Sequence, residues 1–368
     1  MADLVAIEAG RRMPAWPEAR HGRTSAARGR FAGGWALAVV VAVGAVALPF
    51  FANQYYVQVA TIGLLYAYLS ASWNVIGGYA GQMSLGHAIF FGIGSYAFGL
   101  FAVYGVGPLI LSIPVALIVT FAVASAIAAV CFKYRLRGLH FAVGTLLLAE
   151  IVRLVAVNWD VLGRSQGLAV VARESVWNLQ FASRTPYYFI ILAAVVAIVL
   201  GTARLERSRL GFSMIALREQ EDSARALGID TDAVKRRSFV ISAVLTSLGG
   251  SLHGALLGYV NPSLDLGLEI SLVMVMGALL GGRGTVWGPI VGGMIVEVIQ
   301  EALNFGGSLI GTTSVSILAQ MMYGIFLAVV VLALPHGIVG TIARRRTERR
   351  ASREAEDTAS RTGRSDGG

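Results

Sequence analysis

Charge is scarce in this sequence and cysteine scarcer: 14% of the 368 residues are Asp, Glu, Lys or Arg, and Cys131 is the one thiol. A soluble chain of this length saturates its core and must cover the rest with charge, so a soluble fold is excluded. A single thiol rules out an intrachain disulfide, and its place in an apolar run reads as a buried, inert group. The phosphate-binding pattern G-x-x-x-x-G-K-[ST] is missing, so nothing here cradles a nucleotide. No H-E-x-x-H motif or Cys/His cluster offers a metal site, and no cofactor is expected. His21, His87, His140, His253 and His336 are scattered and read as packing or interfacial residues.

What the sequence does have is apolar length. Apolar residues make up 56% of it, gathered in runs of roughly 17–25 residues, about what a helix needs to cross a bilayer. Ten such spans are predicted. The first five are Trp35–Ala52, Tyr56–Ile76, Gly86–Tyr104, Pro108–Phe132 and Leu139–Val157. The others are Tyr187–Ala203, Ser238–Gly258, Glu269–Gly282, Val286–Leu303 and Ser314–Leu334. The 44 glycines fit membrane helices that approach closely, with small residues spaced by four at Gly250/Gly254/Gly258, Gly277/Gly281 and Gly288/Gly292.

The net charge of +9 is distributed as in a membrane protein, without the aromatic-interleaved basic patch of a nucleic-acid binder. With the N-terminus cytoplasmic, 26 of the 30 Lys and Arg fall in cytoplasmic segments, and external loops hold only Arg164, Arg173 and Arg184. Ten spans with both ends inside satisfy every loop. The leader before the first span is about thirty residues long and no small-x-small cleavage site follows, so this is not a secretory signal. Residues 1–34 and 341–368 read as hydrophilic, disordered cytoplasmic tails flanking a membrane domain over 35–340.

Two segments echo each other: Gly78-Tyr79 with Ser84-Leu85-Gly86, and Gly258-Tyr259 with Ser263-Leu264 and Gly267. One lies on each side of the membrane, the signature of an inverted repeat relating spans two to five to spans seven to ten. Gly78, Tyr79, Gly81, Gln82, Ser84, Gly86, Gly258 and Tyr259 are therefore candidate path or gating residues. Within the fifth span, Glu150 and Arg153 stand at i, i+3 and can pair. Such an intramembrane pair is either functional or a self-neutralised structural feature. No central carboxylate marks an ion-coupled secondary carrier, and no nucleophile constellation marks an intramembrane enzyme.

The longest cytoplasmic connection, 204–237, is patterned. Leu217–Leu227 reads as one short helix with i, i+4 pairs Arg218–Asp222 and Glu221–Arg225. Gly228 stops it, and Asp230 or Thr231 caps the next. Ile215, Leu217, Ala224 and Leu227 form a modest apolar side. A helix so short needs a docking surface, either its own membrane domain or a cytoplasmic partner.

That loop, Arg209–Asp230 (RLGFSMIALREQEDSARALGID), resembles the coupling segment of branched-chain amino acid ABC importer permeases. Three further blocks resemble the same family in its order. They are Gly77–Tyr96 (GGYAGQMSLGHAIFFGIGSY), Leu136–Thr145 with Glu150, Arg153 and Asn158–Asp160, and Gly281–Pro289 (GGRGTVWGP). The first block resembles the larger of the family's two permease types. The resemblance implies an all-α, type II importer permease in a bacterial inner membrane, surrounded by lipid and paired with a second permease. It further implies two ATPases that hold the ATP and a periplasmic binding protein that delivers cargo. Leu217–Gly228 would be the coupling helix, with Arg218 and Glu221 at its rim. Branched-chain amino acids are the implied cargo, and urea or short amides travel through similar permeases. A topology reporter fused after Arg346 is expected to report cytoplasm; an external signal would contradict ten spans.

Overall fold

The computed structural model describes residues 44–134, 136–170, 175–310 and 324. The chain divides into two units, Met1–Phe50 and Phe51–Gly368. In the first, residues 44–50 are helical. Most of the predicted first span, nearly all of the tenth and both tails lie outside the described residues.

In the second unit every predicted span from the second to the ninth coincides with a helix. α1 (Gln54–Asn74) continues through a wider π turn, Val75–Tyr79. Then come α2 (Ala88–Tyr104), α3 (Ser112–Lys133), α4 (Gly138–Asn158) and α5 (Thr185–Glu206). The long loop holds α6 (Arg209–Glu219) and α7 (Glu221–Ala226). α8 (Thr231–Leu257) begins seven residues before the predicted span, because Asp230 caps it by accepting from Ala233 N at 2.9 Å. α9 (Pro262–Asp265), α10 (Leu268–Gly281) and α11 (Gly288–Ile310) complete the described helices. Among the described residues, six helices are long and apolar enough to cross a membrane. α2, at 17 residues, is a shorter apolar helix.

Polarity is distributed in the reverse of a soluble protein. α3, the most apolar of the spans, is two-thirds uncovered, as are α4 and α5. α1, the α9–α10 span and α8 are the more enclosed, and α1 and α8 carry many of the buried polar groups. Buried Ser72, Asn74, Ser242, Thr246, Ser247 and Ser251 lie on them, with Ser84 and His87 beside them. Ser72 Oγ and Thr246 Oγ1 donate within their own helices, to Tyr68 O and Ser242 O, and others reach across helix contacts. Tyr68 OH donates to Leu245 O at 2.9 Å, and Ser251 Oγ to Gly94 O at 3.1 Å. Ser242 Oγ donates to Ser72 O at 2.7 Å and so accepts from His87 Nε2 at 2.8 Å. His87 is thus held as the Nε2–H tautomer, with Nδ1 accepting from Ser84 Oγ at 3.0 Å. Apolar outside and hydrogen-bonded inside is what hydrocarbon solvent selects. The chain is a multi-pass α-helical membrane protein.

α8 packs on α2, α3 and α1, while α1 packs on α11, α10 and α5. Backbones touch where α2 crosses α8: a methyl at Gly94 would overlap the Ser247 carbonyl, and one at Gly250 the Phe91 carbonyl. The glycine pairs 277/281 and 288/292 likewise face one another between α10 and α11. Two opposite ends result. At one, the π turn, the α3–α4 connection, α6–α7 and the 282–287 turn meet. At the other, β1 (Leu168–Ala169) pairs antiparallel with β2 (Tyr259–Val260). Segments assigned to one side of the membrane by charge are together at one end of the molecule. Replacing Gly94 or Gly250 by Leu is expected to abolish accumulation of folded protein in the membrane, since overpacking of about 1–3 kcal/mol per site has nowhere to relax. A monodisperse detergent-solubilised variant at wild-type yield would contradict this crossing.

Candidate functional site

The end at which the four motif blocks converge is the candidate site, and the loop after α5 builds it. Ser208 caps α6, accepting from Gly211 N at 3.1 Å. Met214 and Leu217 on α6 are buried with Val75, Ile76 and Tyr79 of the π turn. That packing lets the next residue reach inward: Arg218 Nη1 donates to Gly78 O at 3.1 Å. Gly81 (φ 69°) lies against the stem of Arg218, and Gly284 (φ 72°) against its guanidinium, so a side chain at either would displace it. On the same turn, buried Asn74 holds the 282–287 loop with both ends of its amide. Its Oδ1 accepts from Gly284 N at 2.8 Å and its Nδ2 donates to Thr285 O at 3.0 Å. Thr285 Oγ1 then accepts from Gly288 N at 3.0 Å, opening α11.

The expected single helix Leu217–Leu227 is corrected. Gln220 is extended (φ −160°, ψ 108°) and separates α6 from α7. Glu221 and Asp222 then stand in the first turn of α7 and Arg225 in its last, the arrangement a new helix dipole favours. The break turns Glu221 inward. The expected Arg218–Asp222 pair is accordingly replaced: Arg218 pairs with Glu219 at 3.0 Å, and Asp222 with Arg137 at 3.6 Å. The Glu221–Arg225 pair forms, at 3.3 Å.

Glu221 is a hub rather than a rim residue. Its Oε1 accepts from Lys235 Nζ at 2.6 Å and lies 3.3 Å from Arg137 and from Arg225. Lys235 is 2% exposed, and its ammonium stands 6.0 Å from the centre of the Phe132 ring. Arg225 also donates to Thr231 Oγ1 at 2.8 Å and pairs with Asp232 at 3.7 Å. Three cations and three carboxylates from the α3–α4 connection, α7 and α8 thus neutralise one another. Ala224 is buried, Ile215 half-buried and Leu227 82% exposed; Gly228 ends the segment with φ 86°.

The other candidate residues are divided between this end and the rest of the molecule. Gly78, Tyr79, Gln82, Ser84 and Gly86 are buried inside the chain, with Gly81 exposed. Trp73 Nε1 donates to Ser84 O at 2.7 Å across this segment. Gly258 (φ 65°) caps α8 at the opposite end, and Tyr259 OH donates to Gln166 O at 2.5 Å. Glu150 and Arg153 form a two-pronged pair on α4, with Nε to Oε2 at 2.9 Å. Sequence reasoning missed Asn74, Arg137, Lys235 and Thr285. A lone Asn in an apolar run was a visible signal; the others had none separating them from their neighbours.

A family profile described as "branched-chain amino acid transport system / permease component" matches residues 55–334, three-quarters of the chain. The chain belongs to this permease family. It is 30% identical over 288 residues to the high-affinity branched-chain amino acid transport system permease protein LivM of Salmonella typhimurium, covering 71% of this chain and 66% of the relative. The LivM of Escherichia coli is also 30% identical, covering 72% and 68%. The permease therefore spans about two thirds of the length of these relatives. LivH of Salmonella typhimurium is 26% identical, covering 76% and 92%. The match to LivM supports the larger permease type. No solved structure matches the chain.

Removing one partner of the hub strands a buried charge. Glu221→Ala is expected to destabilise the permease by about 3–5 kcal/mol, and Lys235→Met in the same chain to restore most of it. Thermal denaturation of the purified protein checks this; equal stability of Glu221→Ala and wild type would contradict the hub.

Proposed function

We propose that this permease is a membrane subunit of an ATP-driven importer, with α6 and α7 as its coupling segment. The observation that carries the reading is the two-sided character of that segment. One side is anchored into the membrane domain by Arg218, Leu217, Ala224 and Glu221, and the other presents Leu227 to the aqueous phase. An apolar side chain that exposed at the tip of a rigidly held turn suits a cleft in a partner protein. The chain carries no phosphate loop of its own, so ATP is bound and split by two partner ATPases.

On this reading, closure of the ATPases pushes α7. The charge hub passes the push to α8 through Lys235 and to the α3–α4 connection through Arg137. Arg218 and Asn74 pass it to α1 and to the α10–α11 turn. Ten spans place both termini in the cytoplasm of a bacterial inner membrane. Pseudo-symmetric halves account for why α2 and α3 lean on α8 while α10 and α11 lean on α1. A second permease completes the path, in keeping with the likeness to both LivM and LivH. A periplasmic binding protein delivers the cargo.

Branched-chain amino acids are the proposed cargo, after the names of these relatives. A different small polar solute is the second reading. The autoinducer 2 import system permease protein LsrC of Yersinia enterocolitica is 30% identical over 125 residues, covering 33% of this chain and 34% of its own. Leu227→Asp is expected to reduce co-purification of the ATPases and to lower leucine uptake by about tenfold or more, with membrane insertion unchanged. Uptake that survives ATP depletion while an ion gradient persists would overturn the reading in favour of a secondary carrier.

A further inference from the structure

We propose that Glu150 and Arg153 line a water-filled substrate path and orient a zwitterion in it, Glu150 receiving the ammonium and Arg153 the carboxylate. The inference rests on the importer reading and goes beyond it by placing a cargo contact on this chain.

The pair's position makes the first argument. Glu150 and Arg153 lie two and five residues beyond the midpoint of α4, so about 3 Å and about 8 Å from the centre of that span. Yet the Glu150 side chain is 45% exposed and that of Arg153 24%. Their face is otherwise an open apolar stripe of Val143, Leu147, Ile151 and Leu154, while Phe141, Ala142, Thr145 and Ala149 on the opposite face are buried. An ion pair half-uncovered at that depth is costly against lipid, and ionisable groups in spans face protein or water. An arginine facing lipid snorkels toward the nearer interface. Arg153 instead turns back along the helix toward the middle of the span, to Glu150.

The pair's bonding makes the second. Among the described residues, the Arg153 side chain donates only to Glu150 and the Glu150 carboxylate accepts only from Arg153. No third group locks them, in contrast to Glu221 with its three cations. The pair neutralises itself while the site is empty and can open to a ligand that supplies one charge of each sign. An α-amino acid carries an ammonium and a carboxylate on one carbon, which matches carboxylate and guanidinium one helical turn apart. An uncharged amide supplies neither, so the pair favours zwitterions over neutral solutes.

Two arms test this in the assembled transporter purified through this chain. In a Cys131→Ser background, Ile151→Cys is treated with a charged, membrane-impermeant thiol reagent. Labelling is expected, slowed by leucine; absence of labelling places the face in lipid or protein and overturns the proposal whatever the cargo. In the second arm the charges are exchanged, Glu150→Arg with Arg153→Glu, which keeps an i, i+3 pair. A structural pair tolerates the exchange. An orienting pair does not, and leucine uptake is expected to fall about tenfold or more while the partner subunits still co-purify with this chain. Wild-type uptake in the exchanged variant overturns the proposal. Failure of the unaltered transporter to take up leucine counts against the importer reading instead, and the labelling arm is read independently of it.

Discussion

The guanidinium of Arg218 reaches from outside the spans to the Gly78 carbonyl at the end of the most enclosed helix, and the architecture of the loop follows from keeping that contact. Gly81 and Gly284 leave room for it, Met214 and Leu217 hold α6 flat enough to make it, and Gln220 must break the helix immediately afterward. The break in turn aims Glu221 at Lys235. Met214, Leu217 and Lys235 are buried and Arg218 and Glu221 partly so, and a buried polar contact is costly to break and therefore stiff. A stiff loop is what transmission of force requires; a helix lying loosely on a membrane domain would absorb the movement.

The remainder of the fold obeys the solvent it lives in. Hydrocarbon offers helices no hydrophobic reason to associate, so packing rests on close backbone approach and on hydroxyl, amide and imidazole hydrogen bonds. The Gly94–Ser247 crossing and the Ser84–His87–Ser242–Ser72 chain are the two forms this takes here. Against that background an ion pair that is neither buried nor tied to a third group stands out. Glu150 and Arg153 differ in this respect from the charged groups gathered around Glu221.

Much of this was legible in the sequence, and the failures have physical causes. Apolar length located α1 to α5, α8, α10 and α11, and the spread of Lys and Arg foretold which connections meet at one end. Gly228 and Asp230 marked a helix stop and a cap because each acts through its own backbone neighbours. The split at Gln220 was invisible for the opposite reason. Residues 217–227 are good helix formers locally, and the partners on either side of the break, Gly78 for Arg218 and Arg137 and Lys235 for Glu221, lie on other elements. Asn74 and Lys235 were passed over likewise, since a buried lysine looks like the exposed Arg236 and Arg237 beside it until the fold is known. The echo of Gly78-Tyr79 and Gly258-Tyr259 found segments at opposite ends of the molecule. The residue matching Gly258 in conformation, however, is Gly81.

The central claim is that force crosses from the loop into the spans through Arg218. The most direct test is the number of leucine molecules imported per ATP hydrolysed by the assembled transporter carrying Arg218→Ala. The account predicts that ATP hydrolysis continues while import falls, so the ratio drops by about tenfold or more. A ratio equal to that of the wild type, with both rates intact, would contradict it.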